Sequence, residues 1–169
     1  MNELEIPVIT IDGPSGAGKG TIAQMLALDL SWNILDSGAL YRSLAYFMQE
    51  NEISIVNFKE KREEIRKRFE VSFDPGIPGE PVKVIFENED ITAFIRTEEM
   101  AKLTSNIAAE PMIRDFIKPC QRAFMKAPGL IADGRDMGTV IFSDAKHKIF
   151  LTASAEERAK RRQTQLKRQ

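Results

Sequence analysis

A chain of 169 residues that is 43% hydrophobic is long enough to bury a core, and it fits one domain or one domain with an inserted lobe. The formal net charge of −1 argues against general attraction to nucleic acid, although the stretch from Arg158 to Arg168 is strongly basic. The one cysteine, Cys120, excludes an intrachain disulfide and suits a reducing compartment. A short acidic N-terminus and the lack of a membrane-length apolar run complete the expectation of a cytoplasmic protein, with neither membrane nor nucleic acid as partner.

Taken in chain order, Pro7–Ile11 is an apolar, β-branched run that stops at the turn signal Asp12-Gly13, as a buried parallel strand would. A helix follows from Gly18 to Leu30, with Ile22, Met25, Leu26 and Leu30 at helical spacing. Trp32–Leu35 reads as a second strand, stopping at Asp36-Ser37-Gly38. The next helix starts at about Ala39 and carries Leu40, Leu44 and Phe47 on one face. Asn57–Arg68 reads as a charged helix whose few apolar positions include Phe58 and Ile65. The period then changes to two: Phe69–Phe73 and Val82–Phe86 alternate, with turn formers between them and a further turn at Asn88–Asp90.

Two helices are expected over Thr97–Ala108 and Met112–Lys126, parted by Pro111. Pro128–Ala132 and Lys148–Leu151 are further core strands, and Ser154 with Glu157 forms a capping box that opens the basic terminal helix. Met25, Met48, Met100, Met112 and Met125 read as core filler, Trp32 as a cover for the sheet edge or core, and His147 as structural or exposed. Strands alternating with helices predict an α/β fold, a doubly wound parallel sheet with a small antiparallel insert.

The strongest chemical signal is Gly13-Pro14-Ser15-Gly16-Ala17-Gly18-Lys19-Gly20-Thr21. Phosphates require many N–H donors converging on a small volume. Glycines let the backbone bend around the anion, the following helix offers its first amides, and Lys19 adds a mobile positive charge. Gly20 stands where the general phosphate loop has Ser or Thr, and Thr21 comes one place later. Asp36–Arg42 and Ile131–Thr139 follow two other strands, at the carboxyl ends where such sheets bind ligands. Arg42 is either a phosphate fork or a surface ion-pair partner. Asp133, with Arg135 and Asp136, either organises magnesium and reaches the cleft or pins a loop as an acidic–basic turn.

Together the phosphate loop, Asp36–Arg42, Glu89–Thr92, Ile95–Thr97 and Ile131–Thr139 resemble bacterial cytidylate (CMP) kinases, of the nucleoside monophosphate kinase family, over nearly the whole chain. The resemblance implies a P-loop doubly wound parallel sheet with an inserted monophosphate-binding lobe. The core would span about 1–36 and 127–153, the lobe about 37–126 with its antiparallel insert at about 69–92, and a partial lid about 154–169. It implies ATP and CMP or dCMP as substrates, Mg2+, and a monomer. Residues Gly13 to Thr21, Arg158 and Arg162 would bind ATP, with Arg161 beside them. Ser37, Tyr41, Arg42, Ser105, Arg114, Arg135 and Asp136 would bind CMP. Lys19, Arg42, Arg135 and Asp133 would carry catalysis. No direct magnesium ligand is assigned beyond Thr21 or Asp133 acting through water, and Arg96 would either bind nucleotide or brace Asp36. Family members continue for several tens of residues past the position of Gln169. The alternatives are a related small-acceptor kinase for UMP or AMP and, given that shorter length, a nucleotide-binding module inactive through truncation.

Overall fold

The computed structural model describes residues 5–168. In chain order the elements begin with β1 (Val8–Asp12), α1 (Lys19–Leu30), β2 (Asn33–Asp36), α2 (Ser37–Glu50), α3 (Ile55–Arg68), β3 (Val71–Asp74), β4 (Lys83–Phe86) and β5 (Glu89–Asp90). They continue with α4 (Thr92–Ile95), α5 (Glu98–Ala108), α6 (Pro111–Arg122), β6 (Leu130–Gly134), a π-helical turn at Met137–Ile141, β7 (His147–Phe150) and α7 (Ala155–Lys167). Contacts group them into two compact units. One runs to Ile34 and resumes at Met125, and the other is Leu35–Phe124.

The first unit is built on a sheet of order β2-β6-β1-β7. β1 runs parallel to β6, with Val8 opposite Leu130 and Asp12 opposite Gly134, and parallel to β7, with Ile9 opposite His147. Its central place explains the continuous apolar run: Ile11 and Thr10 are fully buried, as are Leu130, Ile131 and Ala132 beside them. β7 is the outer strand, and all four of its residues are exposed, His147 among them. Trp32 lies over Gly129, where an added Cβ would stand 2.4 Å from the indole, so only a glycine admits the ring.

α1 corrects the sequence reading of its face. The buried residues are Ala23, Gln24 and Ala27, whereas Ile22, Met25 and Leu30 are 37%, 52% and 42% exposed. The reason is steric: small side chains let the helix approach β1 and β6 closely, and the larger ones are left on the outer face. Met25 is therefore not core filler. Met48 and Met100 are buried, and Met112 and Met125 are half-buried.

The second unit has an aromatic core. α2 buries Leu40, Leu44 and Phe47, and α3 buries Phe58 and Ile65, each at the expected helical spacing. α2 starts at Ser37 rather than Ala39, because Asp36 caps it by accepting the Ala39 N–H at 2.9 Å, so no separate turn intervenes. Phe69 is not in the strand that follows. It ends α3, lies buried, and packs against Phe47, Phe86 and Phe116 with ring centroids 6.0, 6.2 and 6.3 Å away. β3 and β4 pair antiparallel, Val71 opposite Phe86, and β5 follows on a tight turn through Glu87 and Asn88. This is the expected insert, one face buried and the other wet.

α4 is a single turn that the sequence pattern did not mark. Thr97 caps α5, and Pro111 is the first residue of α6 rather than a break before it, since a proline there has no N–H to leave unsatisfied. α6 ends at Arg122 instead of Lys126: the amides of Ala123 and Phe124 turn back onto the carbonyls of Pro119 and Gln121, and Pro128 disfavours helix in the residue before it.

Candidate active site

The phosphate loop joins the central strand β1 to α1. Gly13, Gly16 and Gly18 have φ of 151°, 78° and 93°, where side chains are strained. At Gly13 the need is also steric, because an added Cβ would stand 2.0 Å from the carbonyl oxygen of Leu151. Gly18 is the N-cap of α1, no side chain caps that end, and no acidic residue sits in its first turn. The first amides of α1 and the loop amides thus present a concentrated positive potential, suited to an anion. Lys19 folds back over the loop and donates from Nζ to the Pro14 carbonyl at 3.0 Å. Thr21 is exposed, and a Cβ added at Gly20 would meet Asp133 Oδ2 at 3.7 Å. The residue that follows the lysine therefore faces the carboxylate at the end of β6.

The same unit brings three arginines to this loop. Arg135 donates to Ser15 Oγ at 2.8 Å. Arg161 donates to the Gly16 carbonyl at 3.2 Å, and the backbone of Arg158 lies 3.1–3.3 Å from where a Gly16 Cβ would be. Arg162 is half-buried on the same helix. α7 is opened by the anticipated capping box, Ser154 Oγ accepting the Glu157 N–H at 3.1 Å, and it buries no residue of its own. Asp136 starts the π-helical turn and is half-buried.

The second unit holds the other named residues. Ser37 is buried and its Oγ accepts from Gln121 Nε2 at 2.8 Å. Arg42, one helical turn on, donates to the Ile95 carbonyl at 2.9 Å, and Tyr41 beside it is half-buried. Arg96 takes the bracing role, 3.7 Å from Asp36 and donating to the Val82 carbonyl at 3.3 Å. Ser105 is exposed on α5, its hydroxyl turned back to the Ala101 carbonyl at 3.0 Å, and Arg114 is exposed in the first turn of α6. Cys120 is half-buried, and burial pushes its thiol up, which disfavours the thiolate a nucleophile would need.

Two supporting residues escaped the sequence reading. Gln121 is 1% exposed and continues the i, i+4 series Ile113, Ile117, so an amide on an otherwise apolar stripe was the available signal. Asp12 is 6% exposed, and its carboxylate accepts the N–H groups of Met137 and Gly138, each at 2.8 Å. A carboxylate closing an apolar strand was its signal.

A parallel sheet whose central strand feeds a phosphate loop, with a carboxylate at the end of the neighbouring strand and a small antiparallel sheet elsewhere in the chain, defines a P-loop protein of the nucleoside monophosphate kinase class. A family model described as cytidylate kinase matches residues 9–169. The chain belongs to the cytidylate kinase family. It is 54% identical over 160 residues to the cytidylate kinase of Shewanella frigidimarina, covering 95% of this chain and 69% of that protein. It is 50% identical over 165 residues to the cytidylate kinase of Pseudomonas syringae pv. tomato, covering 98% and 72%. The cytidylate kinase of Stutzerimonas stutzeri is 52% identical over 162 residues, covering 96% and 70%. Among the described residues no helix is long and apolar enough to cross a membrane.

Proposed function

We propose that this chain transfers the γ-phosphoryl group of ATP to CMP, and also to dCMP, giving ADP and the nucleoside diphosphate. The observation that carries the reading is the phosphate loop with Asp133 and Arg135 against it, in a chain 54% identical to a protein named cytidylate kinase. An oxygen of the CMP phosphate attacks the γ-phosphorus, the bond to the β–γ bridging oxygen breaks, and ADP leaves. The attacking oxygen is already anionic, so no strong general base is required. The protein's task is to align the two nucleotides and offset charge.

Each residue then has a place in that task. The amides of Gly13 to Thr21, all but that of Pro14, and the Lys19 ammonium hold the donor phosphates. Arg42, Arg114 and Arg135 hold the acceptor phosphate, with Arg135 leaving Ser15 to do so. Ser37, Tyr41, Ser105 and Asp136 address the rest of CMP, and Arg158, Arg161 and Arg162 reach the donor from α7. Each charge-assisted hydrogen bond made only at the transition state contributes about 1.5–3 kcal/mol.

The chemistry of the loop fits magnesium. The ion takes oxygen ligands and commonly uses one or two carboxylates together with substrate phosphates. Asp133 Oδ2 supplies such an oxygen at the first turn of α1, and the Thr21 hydroxyl is exposed one residue on. These two residues would hold it through water. Held there, the ion would supply charge neutralisation to the phosphoryl donor. The same reading makes the protein a cytoplasmic monomer, in keeping with a single half-buried cysteine.

Coupled ADP release by the purified chain, with ATP and magnesium and with CMP, dCMP, UMP or AMP as acceptor, tests the proposal. Release that depends on CMP or dCMP and is far slower with UMP and AMP is the expected result. Equal or faster release with UMP or AMP would assign a different acceptor, and binding of ATP without release would leave a nucleotide-binding module.

A further inference from the structure

The Asp12 carboxylate is almost fully buried, yet no nucleotide role falls to it. Met137 N–H donates to Oδ1 and Gly138 N–H donates to Oδ2, both at 2.8 Å. These are the first two amides of the π-helical turn Met137–Ile141. The residue in the local capping place, Asp136, makes no side-chain capping bond; its carbonyl instead accepts the amides of Val140 and Ile141 at 2.9 and 3.1 Å. The turn is capped from the central strand rather than from its own neighbourhood. Gly138 permits the approach: a Cβ there would stand 2.7 Å from Thr10 Oγ1 and 3.3 Å from Asp12 Oδ2.

The backbone of Asp12 acts on the same segment. It lies opposite Gly134 in the parallel pairing of β1 with β6. One residue therefore fixes Gly134 through the strand register and Met137 through its side chain, and only Arg135 and Asp136 lie between. Two charge-assisted bonds to a buried carboxylate are costly to leave unmade, so this geometry is strongly specified.

We infer that Asp12 is a positioning residue for the acceptor: by clamping both ends of the Arg135–Asp136 segment it sets where those two side chains stand. The inference rests on the reading of Arg135 and Asp136 as CMP-binding residues. It competes with the simpler idea that Asp12 only braces the adjoining phosphate loop, in which case ATP binding would suffer as much as CMP binding.

Asp12→Asn keeps the shape but sets an amide donor against one of the two N–H groups. Amide exchange followed by NMR and calorimetric dissociation constants for CMP and for ATP would be measured on the parent chain, Asp12→Asn, Arg135→Ala and the double variant. We expect the Met137 and Gly138 amides to exchange about tenfold faster or more, CMP to bind about tenfold more weakly, and ATP affinity to stay within about twofold. The double variant should bind CMP no more weakly than the weaker single variant, because both act through one segment. Unchanged exchange at the two amides, or equal losses for CMP and ATP, would overturn the inference. Should Asp12→Asn fail to fold, Gly138→Ala pushes the same turn off β1, with the same CMP-selective loss expected and equal losses again overturning it. If Arg135→Ala leaves CMP binding unchanged while Asp12→Asn weakens it selectively, Arg135 loses its acceptor role and Asp12 stands as acting through Asp136. A parent chain without CMP affinity would defeat the acceptor reading, and this inference with it, before any substitution is made.

Discussion

The two units answer different physical demands. In the first, the candidate phosphate site is made mostly of backbone: glycines at φ of 78° and 93°, an uncapped helix start and a single lysine, over a sheet whose outer strand is exposed. In the second, the candidate nucleotide contacts are side chains mounted on helices around a cluster of five phenylalanine rings, Phe47, Phe58, Phe69, Phe86 and Phe116. A backbone site tolerates little change in glycine placement, whereas a side-chain site depends on the packing that holds its helices. Substitutions should separate the two.

The largest effect is expected at Lys19. Lys19→Ala removes the one mobile charge of the loop, and losing charge-assisted bonds to the donor phosphates should slow transfer by about a hundredfold to ten-thousandfold. Its bond to the Pro14 carbonyl lies within the loop, five residues away in sequence, so the thermal unfolding midpoint should stay close to that of the parent. Near-normal turnover in a coupled assay would remove Lys19 from the reaction and with it the claim that the first unit holds the donor.

Phe116→Ala attacks the second unit. Phe116 is fully buried, packs edge-on to Phe58 at 5.4 Å, and carries the Arg66 guanidinium 5.0 Å above its ring. Removing it should cost about 4 kcal/mol in urea unfolding. Phe150→Ala, at a residue 70% exposed on β7, should change stability by less than about 0.5 kcal/mol. Equal costs for the two would deny that the aromatic cluster is the second unit's main support.

These contrasts also explain what the sequence disclosed. The phosphate loop was legible because its function needs glycine at fixed spacing after an apolar strand, a pattern with few other causes. α2 and α3 were legible because large apolar residues at helical spacing met an equally large partner surface. α1 misled for the opposite reason: its contact with the sheet is close and uses Ala23 and Ala27, so the conspicuous Ile22, Met25 and Leu30 point outward. The single turn α4 and the π-helical turn were invisible, since the first is too short for a period and the second depends on Asp12, 125 positions away in sequence. The side-chain contacts of Ser37 with Gln121 and of Arg42 with Ile95 are equally long-range, and composition near either residue does not announce them.

A smaller loss is expected at Gly13. Gly13→Ala places a methyl 2.0 Å from the Leu151 carbonyl and forces a side chain into φ of 151°. Overpacking of this kind should cost about 3 kcal/mol and weaken ATP binding. Gly20→Ala meets only Asp133, at 3.7 Å, within a helix, and should cost no stability. If both variants were equally stable, the loop's dependence on backbone geometry would be overstated.

The smallest effect sharpens the second unit's antiparallel sheet. Thr92 Oγ1 donates to Asp90 and accepts the Val84 N–H at 2.8 Å, and its own N–H donates to Asp90 at 2.9 Å. The Thr92 hydroxyl, followed by its backbone N–H, holds the Asp90 carboxyl below its usual value. A lowered carboxylate contributes stability that is present above the usual carboxylate range and is lost as pH falls through the lowered value. Thr92→Val removes both side-chain bonds, so at neutral pH it should cost about 1 kcal/mol, most of it from the Val84 amide. The Asp90 share is small because the carboxylate is exposed and screened. On acidification below the usual carboxylate range the parent loses that share and the variant has little of it to lose. The gap between their urea midpoints should therefore narrow at low pH. A gap that widens on acidification would mean that Asp90 is not stabilised by Thr92, and the β5–α4 corner would need another account.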